Sequence, residues 1–194
     1  RIRIEGEGGH AGAMLMPGRR DAFLAAAEVA LAVESAALST GAIDTVGTVG
    51  ICEVFPGAVN SVPSLARIEV DVRDIDQARR DTVLQRIAEA CEKTASKRSV
   101  QIHSELVNSD PPAQCAPAVV DALVQACETH QLRFERMISR AYHDSLFMSR
   151  IAPTAMLFVP SRGGVSHRPD EYSSPQAIAQ GVLVLADALS RLSS

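Results

Sequence analysis

The stretch at residues 139–172 constrains the fold of this chain more than any other. It contains an apolar run at residues 155–159, with His143 before the run and His167 after it. Such a run predicts a buried strand, and a strand that is apolar on both faces needs neighbouring strands and covering helices. Loops at the ends of strands often carry the functional groups of α/β enzymes. The two histidines are therefore the first candidates for chemistry.

Residues 1–110 predict a complete small domain. Residues 66–73 alternate between apolar and charged side chains, which is typical of a half-buried strand. The other predicted elements, in chain order, are a strand at residues 1–5, a helix at 20–38, a strand at 46–55, a helix that Asp74 or Asp76 caps and that buries Val83, Ile87 and Cys91, and a strand from Val100. The order β-α-β-β-α-β predicts an antiparallel sheet with two helices on one face.

The pair Pro111-Pro112 predicts a boundary, and residues 111–194 do not resemble a domain by themselves. They contain the strand predicted at 155–159, a second one near 134–138, and helices. The last helix carries an apolar stripe that we predict to be buried, formed by Ile178, Val182, Leu185 and Leu189. Because the segment supplies no neighbours for its main strand, we expect it to complete a sheet whose other strands precede residue 1. The start without Met, inside a strand-like segment, also favours a fragment.

The composition argues against several classes of protein. The net charge is −4 and no run of like charge occurs, so nothing indicates a nucleic acid or a membrane surface as partner. Aromatic residues make up 4% and Trp is absent, which disfavours a stacking platform for bases. No apolar run approaches the roughly 18 residues that span a bilayer, and no targeting segment is visible. The four cysteines form no C-x-x-C pair and predict reduced thiols.

Three histidines are candidates for chemistry, and each has an ordinary alternative. His167 follows the glycine pair at 163–164 and could bind a metal. Spacing alone favours a surface-loop histidine there, because no H-x-x-x-H cluster accompanies it. His143 lies at a predicted helix start, where an imidazole stays neutral, or it is a polar neighbour of a capping Asp144. His10 lies among glycines, and it either meets another surface or occupies an ordinary turn.

Two other polar residues are candidates for substrate contacts. Asn60 lies in Val59-Asn60-Ser61, where a turn residue is more frequent than a ligand contact. Arg73 ends the outward-facing row of the strand at 66–73, where a solvated arginine is the usual explanation. A guanidinium is also the natural clamp for a substrate carboxylate.

Five motifs that span the chain together resemble one enzyme family. They are Gly8-Gly9-His10-Ala11-Gly12, Arg19-Arg20-Asp21, Pro56-Gly57-Ala58-Val59-Asn60, Asp71-Val72-Arg73-Asp74 and Ser166-His167-Arg168-Pro169-Asp170-Glu171. In combination they resemble the M20 family of metal-dependent amidohydrolases. The resemblance implies an α/β fold, with a ferredoxin-like βαββαβ lid or dimerisation domain at residues 1–110. The C-terminal part of a zinc-peptidase-like α/β catalytic domain would follow at residues 111–194.

Within that family the chain resembles the branch that acts on linear ureido compounds. Residues 139–148, SRAYHDSLFM, are most similar to ureidoglycolate amidohydrolases, whereas residues 161–165, SRGGV, are more similar to the allantoate enzymes. The resemblance implies hydrolysis of ureidoglycolate to glyoxylate, ammonia and carbon dioxide in the breakdown of purines through allantoin. Allantoate and N-carbamoyl amino acids are the alternative substrates. A dimerisation module without catalysis is the alternative from a different class.

The resemblance also implies roles for the candidate residues. His167 would bind one of two divalent metal ions, Mn²⁺ as first choice and Zn²⁺ as second. His10 would hydrogen-bond the tetrahedral oxyanion in the partner subunit's site. The substrate contacts would be Asn60 with a polar group, Arg73 with the carboxylate, Tyr142 and His143 beside the metals, and the backbone amides of Gly163 and Gly164 with the carboxylate.

The resemblance further implies what lies outside the chain. The remaining metal ligands and the general base would precede residue 1. The protein would be a homodimer through the lid and would act on a small ureido substrate. The compartment stays open, because the family implies the cytoplasm for a bacterial protein and the endoplasmic reticulum for a plant-like one.

Overall fold

A computed structural model describes residues 1–193, and it divides into two compact units. The first unit spans Arg1–Pro112 and the second begins at Ala113. The elements of the first unit are β1 (Ile2–Glu5), β2 (Gly9–His10), α1 (Ala22–Leu38), β3 (Val46–Phe55), β4 (Ser61–Val62), β5 (Leu65–Arg73), α2 (Gln77–Arg98) and β6 (Gln101–Ser104). Those of the second are α3 (Pro117–Thr129), α4 (Ser145–Met148), a 3₁₀ turn (Arg162–Gly164) and α5 (Pro175–Leu192).

The first unit is built on a four-stranded antiparallel sheet with the strand order β3-β5-β1-β6. Its largest fully buried side chains come from strands and helices alike, namely Ile4, Ile68, Val29, Val33 and Val83. One face of β5 is buried at Ala66 and Ile68, and its other face is exposed at Arg67 and Glu69. Both helices therefore cover the same face, and the predicted β-α-β-β-α-β order with an antiparallel sheet is confirmed.

The first helix begins at a side-chain cap and packs through small residues. The Asp21 carboxylate accepts the N–H groups of Phe23 and Leu24 at 2.9 and 3.1 Å, which satisfies donors that the helix itself leaves unpaired. Asp21 is thus the residue before the helix, so α1 begins two residues later than predicted. Its buried face is mostly alanine and valine, which lets the helix lie close to the sheet.

A second, two-stranded sheet joins β2 to β4, with Gly9 opposite Val62 and His10 opposite Ser61. The sequence predicts only a glycine-rich loop and a turn at these two places. A strand of two residues is too short to show an alternation of apolar and polar side chains, so no periodic signal exists to predict it. We call this pair the β2–β4 ribbon.

The second unit is organised around the contact between α3 and α5. Its core consists of small and medium side chains, namely Ala122, Ala126, Cys127, Val184 and Ala188. Both helix starts follow the predicted signals: Pro117 begins α3, and Ser174 accepts the N–H of Ala177 at 3.1 Å ahead of Pro175. No helix within residues 1–193 has both the length and the apolarity needed to cross a membrane. The cysteines are free thiols, as predicted.

Three sequence predictions for the second unit are wrong. Neither 155–159 nor 134–138 forms a strand, because a strand needs a partner for its N–H and C=O groups and no strand is described between residues 113 and 193. The predicted buried stripe of α5 is instead exposed, at 50% for Ile178, 62% for Val182, 47% for Leu185 and 58% for Leu189. The helix packs on α3 through Val184 and Ala188, so the described part of this unit leaves the stripe uncovered.

A buried carboxylate fastens the end of β5 to the start of α2. The Asp74 side chain has no exposed surface and accepts hydrogen bonds from the Thr45 hydroxyl, from Arg79 Nε at 2.7 Å and from the Asp76 N–H at 2.9 Å. Burial raises the pKa of Asp74, but these hydrogen bonds outweigh it and hold the pKa at about 2, below the ordinary 3.8. The charged carboxylate is therefore part of the folded state.

This carboxylate makes the stability of the first unit depend on pH. A pKa that is lower in the folded state gives stability that is present above pH 3.8 and lost as the pH falls toward 2. We expect Asp74→Asn to lower the free energy of unfolding by about 2 kcal/mol at pH 7, and the difference from wild type to shrink between pH 4 and pH 2. Urea unfolding of both proteins between pH 7 and pH 2 measures this difference in the free energy of unfolding. Glu53→Gln, at an ion pair with Arg67 in which both side chains are about half exposed, should change the free energy of unfolding by less than about 1 kcal/mol.

Candidate active site

The β2–β4 ribbon brings together two candidates that are fifty residues apart in the sequence. His10 ends β2, and Asn60 immediately precedes β4. The Ala11 N–H donates to the Asn60 carbonyl at 2.8 Å, so the two residues lie side by side at the same end of the ribbon. Both side chains are exposed. The imidazole and the amide are therefore both exposed at one end of the ribbon.

The contact of His10 within its own loop indicates which ring nitrogen carries the hydrogen in the neutral form. The Gly12 N–H donates to His10 Nδ1 at 3.2 Å, so Nδ1 is an acceptor and carries no hydrogen. In the neutral ring the hydrogen is then on Nε2, which points away from this bond as a donor. An exposed Nε2–H suits the predicted contact with an oxyanion.

Arg19 fixes this loop, a role that the spacing of residues in the sequence does not indicate. Its guanidinium donates from Nη2 to the carbonyls of Ala11 at 2.6 Å and Met14 at 2.7 Å, and from Nε to Met14 at 3.0 Å. The Ala13 N–H donates to the His10 carbonyl at 2.9 Å, which closes the turn. The available signal was the Arg19-Arg20-Asp21 motif, whose aspartate caps α1 and so places Arg19 beside the loop.

Arg73 lies at the other end of the first unit's long strand. β5 begins at Leu65, next to the ribbon, and extends over roughly 26 Å to Arg73. The Arg73 guanidinium binds the Asp71 carboxylate, with Nε 2.9 Å from Oδ2, and this hydrogen bond raises the pKa of Arg73. The structure therefore does not bring Arg73 to His10 and Asn60, and a substrate carboxylate at Arg73 would compete with Asp71.

His143 is held in place on two sides. Its Nε2 lies 2.7 Å from the Ser139 hydroxyl, and its ring meets Phe158 edge to face, with centroids 5.8 Å apart. Tyr142, which is 49% exposed, contacts Phe147 in the same manner at 5.9 Å. Asp144 is the residue before α4, as the alternative predicts, but its side chain makes no capping hydrogen bond. Ser139 could not be linked to His143 from the sequence, because it lies in irregular backbone without a periodic pattern.

The glycine pair is required by the backbone itself. Gly163 and Gly164 both have φ of 67°, in the left-handed region where a side chain is strained. The Gly164 N–H donates to the Ser161 carbonyl at 3.0 Å. A substrate carboxylate would have to replace that bond to reach the Gly164 amide.

His167 follows this turn in a small closed loop. Its own φ is 58°, and its N–H donates to the Glu171 carboxylate at 2.9 Å. The loop is closed where the Arg162 N–H donates to the Tyr172 carbonyl at 2.8 Å and its guanidinium lies over the Tyr172 ring. Glu171 thus fixes the backbone of His167, whose ring is left exposed to a ligand.

The model of one protein family matches residues 5–191, nearly the whole chain: Peptidase family M20/M25/M40. The chain belongs to this family. The match confirms the M20 resemblance predicted from the five motifs.

Relatives within the M20 family differ in how similar they are to this chain. It is 53% identical to ureidoglycolate hydrolase of Arabidopsis thaliana over 100% of its length, and it spans 41% of that protein. It is 37% identical to N-carbamoyl-L-amino acid amidohydrolase of Geobacillus stearothermophilus, over 95% of this chain and 45% of that protein. A crystal structure of AtUAH in complex with glyoxylate matches with a TM-score of 0.94 at 53% identity, over 99% of this chain and 46% of that one. The chain thus spans less than half of each.

The residues that the structure describes do not form a metal site by themselves. A protein metal site needs at least three protein ligands. Within residues 1–193, no three His, Cys, Asp or Glu side chains are grouped to bind an ion. His167 offers one imidazole, and no hydrogen bond or ring contact in the described part joins it to His143.

Proposed function

We propose that the full-length protein carrying this chain hydrolyses ureidoglycolate to glyoxylate, ammonia and carbon dioxide. Residues 1–110 would be its lid and dimerisation domain, and residues 111–194 the C-terminal part of its catalytic domain. The observation that carries the proposal is the 53% identity to ureidoglycolate hydrolase over the whole chain, against 37% for the N-carbamoyl-amino-acid enzyme. The likeness to AtUAH, solved with glyoxylate, supports it.

In this proposal the ribbon provides the group that stabilises the transition state. Attack of water on the ureido carbonyl places negative charge on its oxygen. The exposed Nε2–H of His10 is the donor that would receive this charge, and Arg19 holds its loop in place beforehand. Asn60, beside it on the ribbon, would bind a second polar group of the same substrate.

The span of β5 supports a homodimer. A ureidoglycolate molecule is much shorter than the roughly 26 Å between the two ends of this strand. The ribbon and Arg73 of one subunit would therefore serve different substrate molecules, as expected if His10 reaches the partner subunit's site. The edge strand β3 also presents apolar side chains, with Ile51 49% exposed, which favours pairing with a second lid.

The second unit would bind the substrate and one metal ion. Tyr142 and His143 would contact the substrate, and Gly163 and Gly164 would provide amides for its carboxylate. His167 would supply a single imidazole ligand, and the other ligands would come from outside residues 1–194. Manganese is the metal we expect and zinc the alternative.

The test is the activity of the purified full-length protein on three substrates. We expect kcat/KM on ureidoglycolate to exceed that on allantoate and on N-carbamoyl amino acids by at least about 100-fold, because these differ in the polar groups that the site must pair. Release of ammonia measures all three reactions. Faster turnover of either other substrate would contradict the assignment.

One observation favours a second candidate. Residues 161–165, SRGGV, are more similar to the allantoate branch, and they form the turn that carries the two proposed substrate amides. A preference for allantoate in the same assay would support this candidate. Hydrolysis of none of the three substrates by metal-loaded protein would favour a module without catalysis.

A further inference from the structure

Ser139 and His143 form a hydrogen-bonded pair in which Ser139 has no role in the function proposed above. Ser139 Oγ lies 2.7 Å from His143 Nε2, and both residues are half-buried. The same oxygen accepts the Ala141 N–H at 3.3 Å. Phe158 meets the imidazole from another side. The ring is thus fixed by one polar and one aromatic neighbour.

A hydroxyl can donate or accept, and either ring nitrogen of a neutral histidine can carry the hydrogen, so the geometry of this pair allows two arrangements. The Ser139 oxygen already accepts the Ala141 N–H, which favours its own hydrogen as the one donated to His143 Nε2. With Ser139 as the donor, Nε2 carries no hydrogen, and the hydrogen of the neutral ring is on Nδ1. Within residues 1–193, no protein group hydrogen-bonds Nδ1.

We propose that Ser139 is a positioning residue that fixes His143 in the Nδ1–H tautomer, so that this N–H donates to an acceptor oxygen of the substrate. The proposal rests on the proposed function, in which His143 contacts the substrate. The opposite tautomer would present a lone pair to the same oxygen and would repel it. The partner of the distal ring nitrogen commonly sets which nitrogen carries the hydrogen.

The imidazole ¹⁵N spectrum of the full-length protein tests this inference directly. The protein is labelled with ¹⁵N-histidine, and the His143 signals are assigned by their loss in His143→Asn. We expect long-range ¹⁵N–¹H couplings of the Nδ1–H form in wild type and in Ser139→Thr, which keeps the hydroxyl. Ser139→Ala should give a mixture of both tautomers. In Ser139→Ala, kcat/KM on ureidoglycolate should fall about 10- to 100-fold. Ser139→Thr should keep most of the wild-type kcat/KM.

A neighbouring serine provides the matched control. The Ser149 hydroxyl donates to the Leu146 carbonyl at 2.7 Å, so Ser149→Ala should change neither the His143 spectrum nor kcat/KM. An unchanged single Nδ1–H form in Ser139→Ala would overturn the inference, as would a mixture in Ser139→Thr. Failure of the proposed function is a separate result: wild type would then hydrolyse no ureido substrate, whatever the spectra show.

Discussion

Replacing His10 by alanine is expected to lower kcat on ureidoglycolate by about 10²- to 10³-fold, the usual loss when one oxyanion donor is removed. The reason is the fixed Nε2–H: Gly12 occupies Nδ1, and Arg19 holds the loop before the substrate arrives. No part of the core depends on this exposed side chain. Because the contact strengthens as charge develops, kcat and kcat/KM should fall together while KM changes little.

His103→Ala is the control for this prediction. His103 is an exposed histidine on β6, in the same unit as His10 but on a different sheet. It should leave kcat within about twofold of wild type, since a surface substitution away from the site has little effect. Steady-state kinetics on the full-length protein measures both variants. A higher KM at unchanged kcat in His10→Ala would mean that the imidazole binds substrate and transition state equally, which contradicts an oxyanion role.

The first unit was predictable because it buries its own apolar side chains. The alternation at residues 66–73 specifies which face of β5 is covered, and the stripe Val83, Ile87, Cys91 specifies the face of α2 that covers it. Each apolar pattern has its partner within the same hundred residues. The order of the main elements, the antiparallel sheet and the two helices on one face then follow from the sequence pattern.

The second unit resisted prediction for the opposite reason. A run such as 155–159 predicts a buried strand only if something in the chain pairs with it. Here Phe158 is 49% exposed, and the apolar side of α5 is exposed as well. The sequence thus indicates what these segments are suited to bury, whereas the described fold lacks the surface that would cover them. This mismatch agrees with a chain that spans 41% of its relative from Arabidopsis thaliana.

The candidate site residues could be identified from the sequence, but most of their hydrogen-bond partners could not. Motifs singled out His10, Asn60 and His167, but their neighbours depend on hydrogen bonds between irregular segments. The pairing of Ala11 with Asn60, and that of Ser139 with His143, have no periodic signature in the sequence. The left-handed backbone at Gly163 and Gly164 is different, because glycine there is required by conformation and could be anticipated.

Mixing two inactive variants of the full-length protein is expected to restore activity if His10 acts in the partner subunit's site. The variants are His10→Ala, which lacks the oxyanion donor, and His167→Ala, which lacks a metal ligand. In a mixed dimer, one site combines an intact His167 with an intact His10 from the other subunit. Random reassociation makes half of the dimers mixed, each with one of its two sites complete, so about a quarter of wild-type activity should return.

The matched control is a mixture of His10→Ala with Asn60→Ala. These two residues lie side by side on the same ribbon, so every site of the mixed dimer receives a ribbon that lacks one of them. No activity should return beyond that of the two parents. If mass spectrometry shows mixed dimers but the His10→Ala and His167→Ala mixture stays inactive, His10 does not act across the dimer. His10 would then act within its own subunit, and Arg73, at the other end of the roughly 26 Å strand β5, could not bind the same substrate molecule.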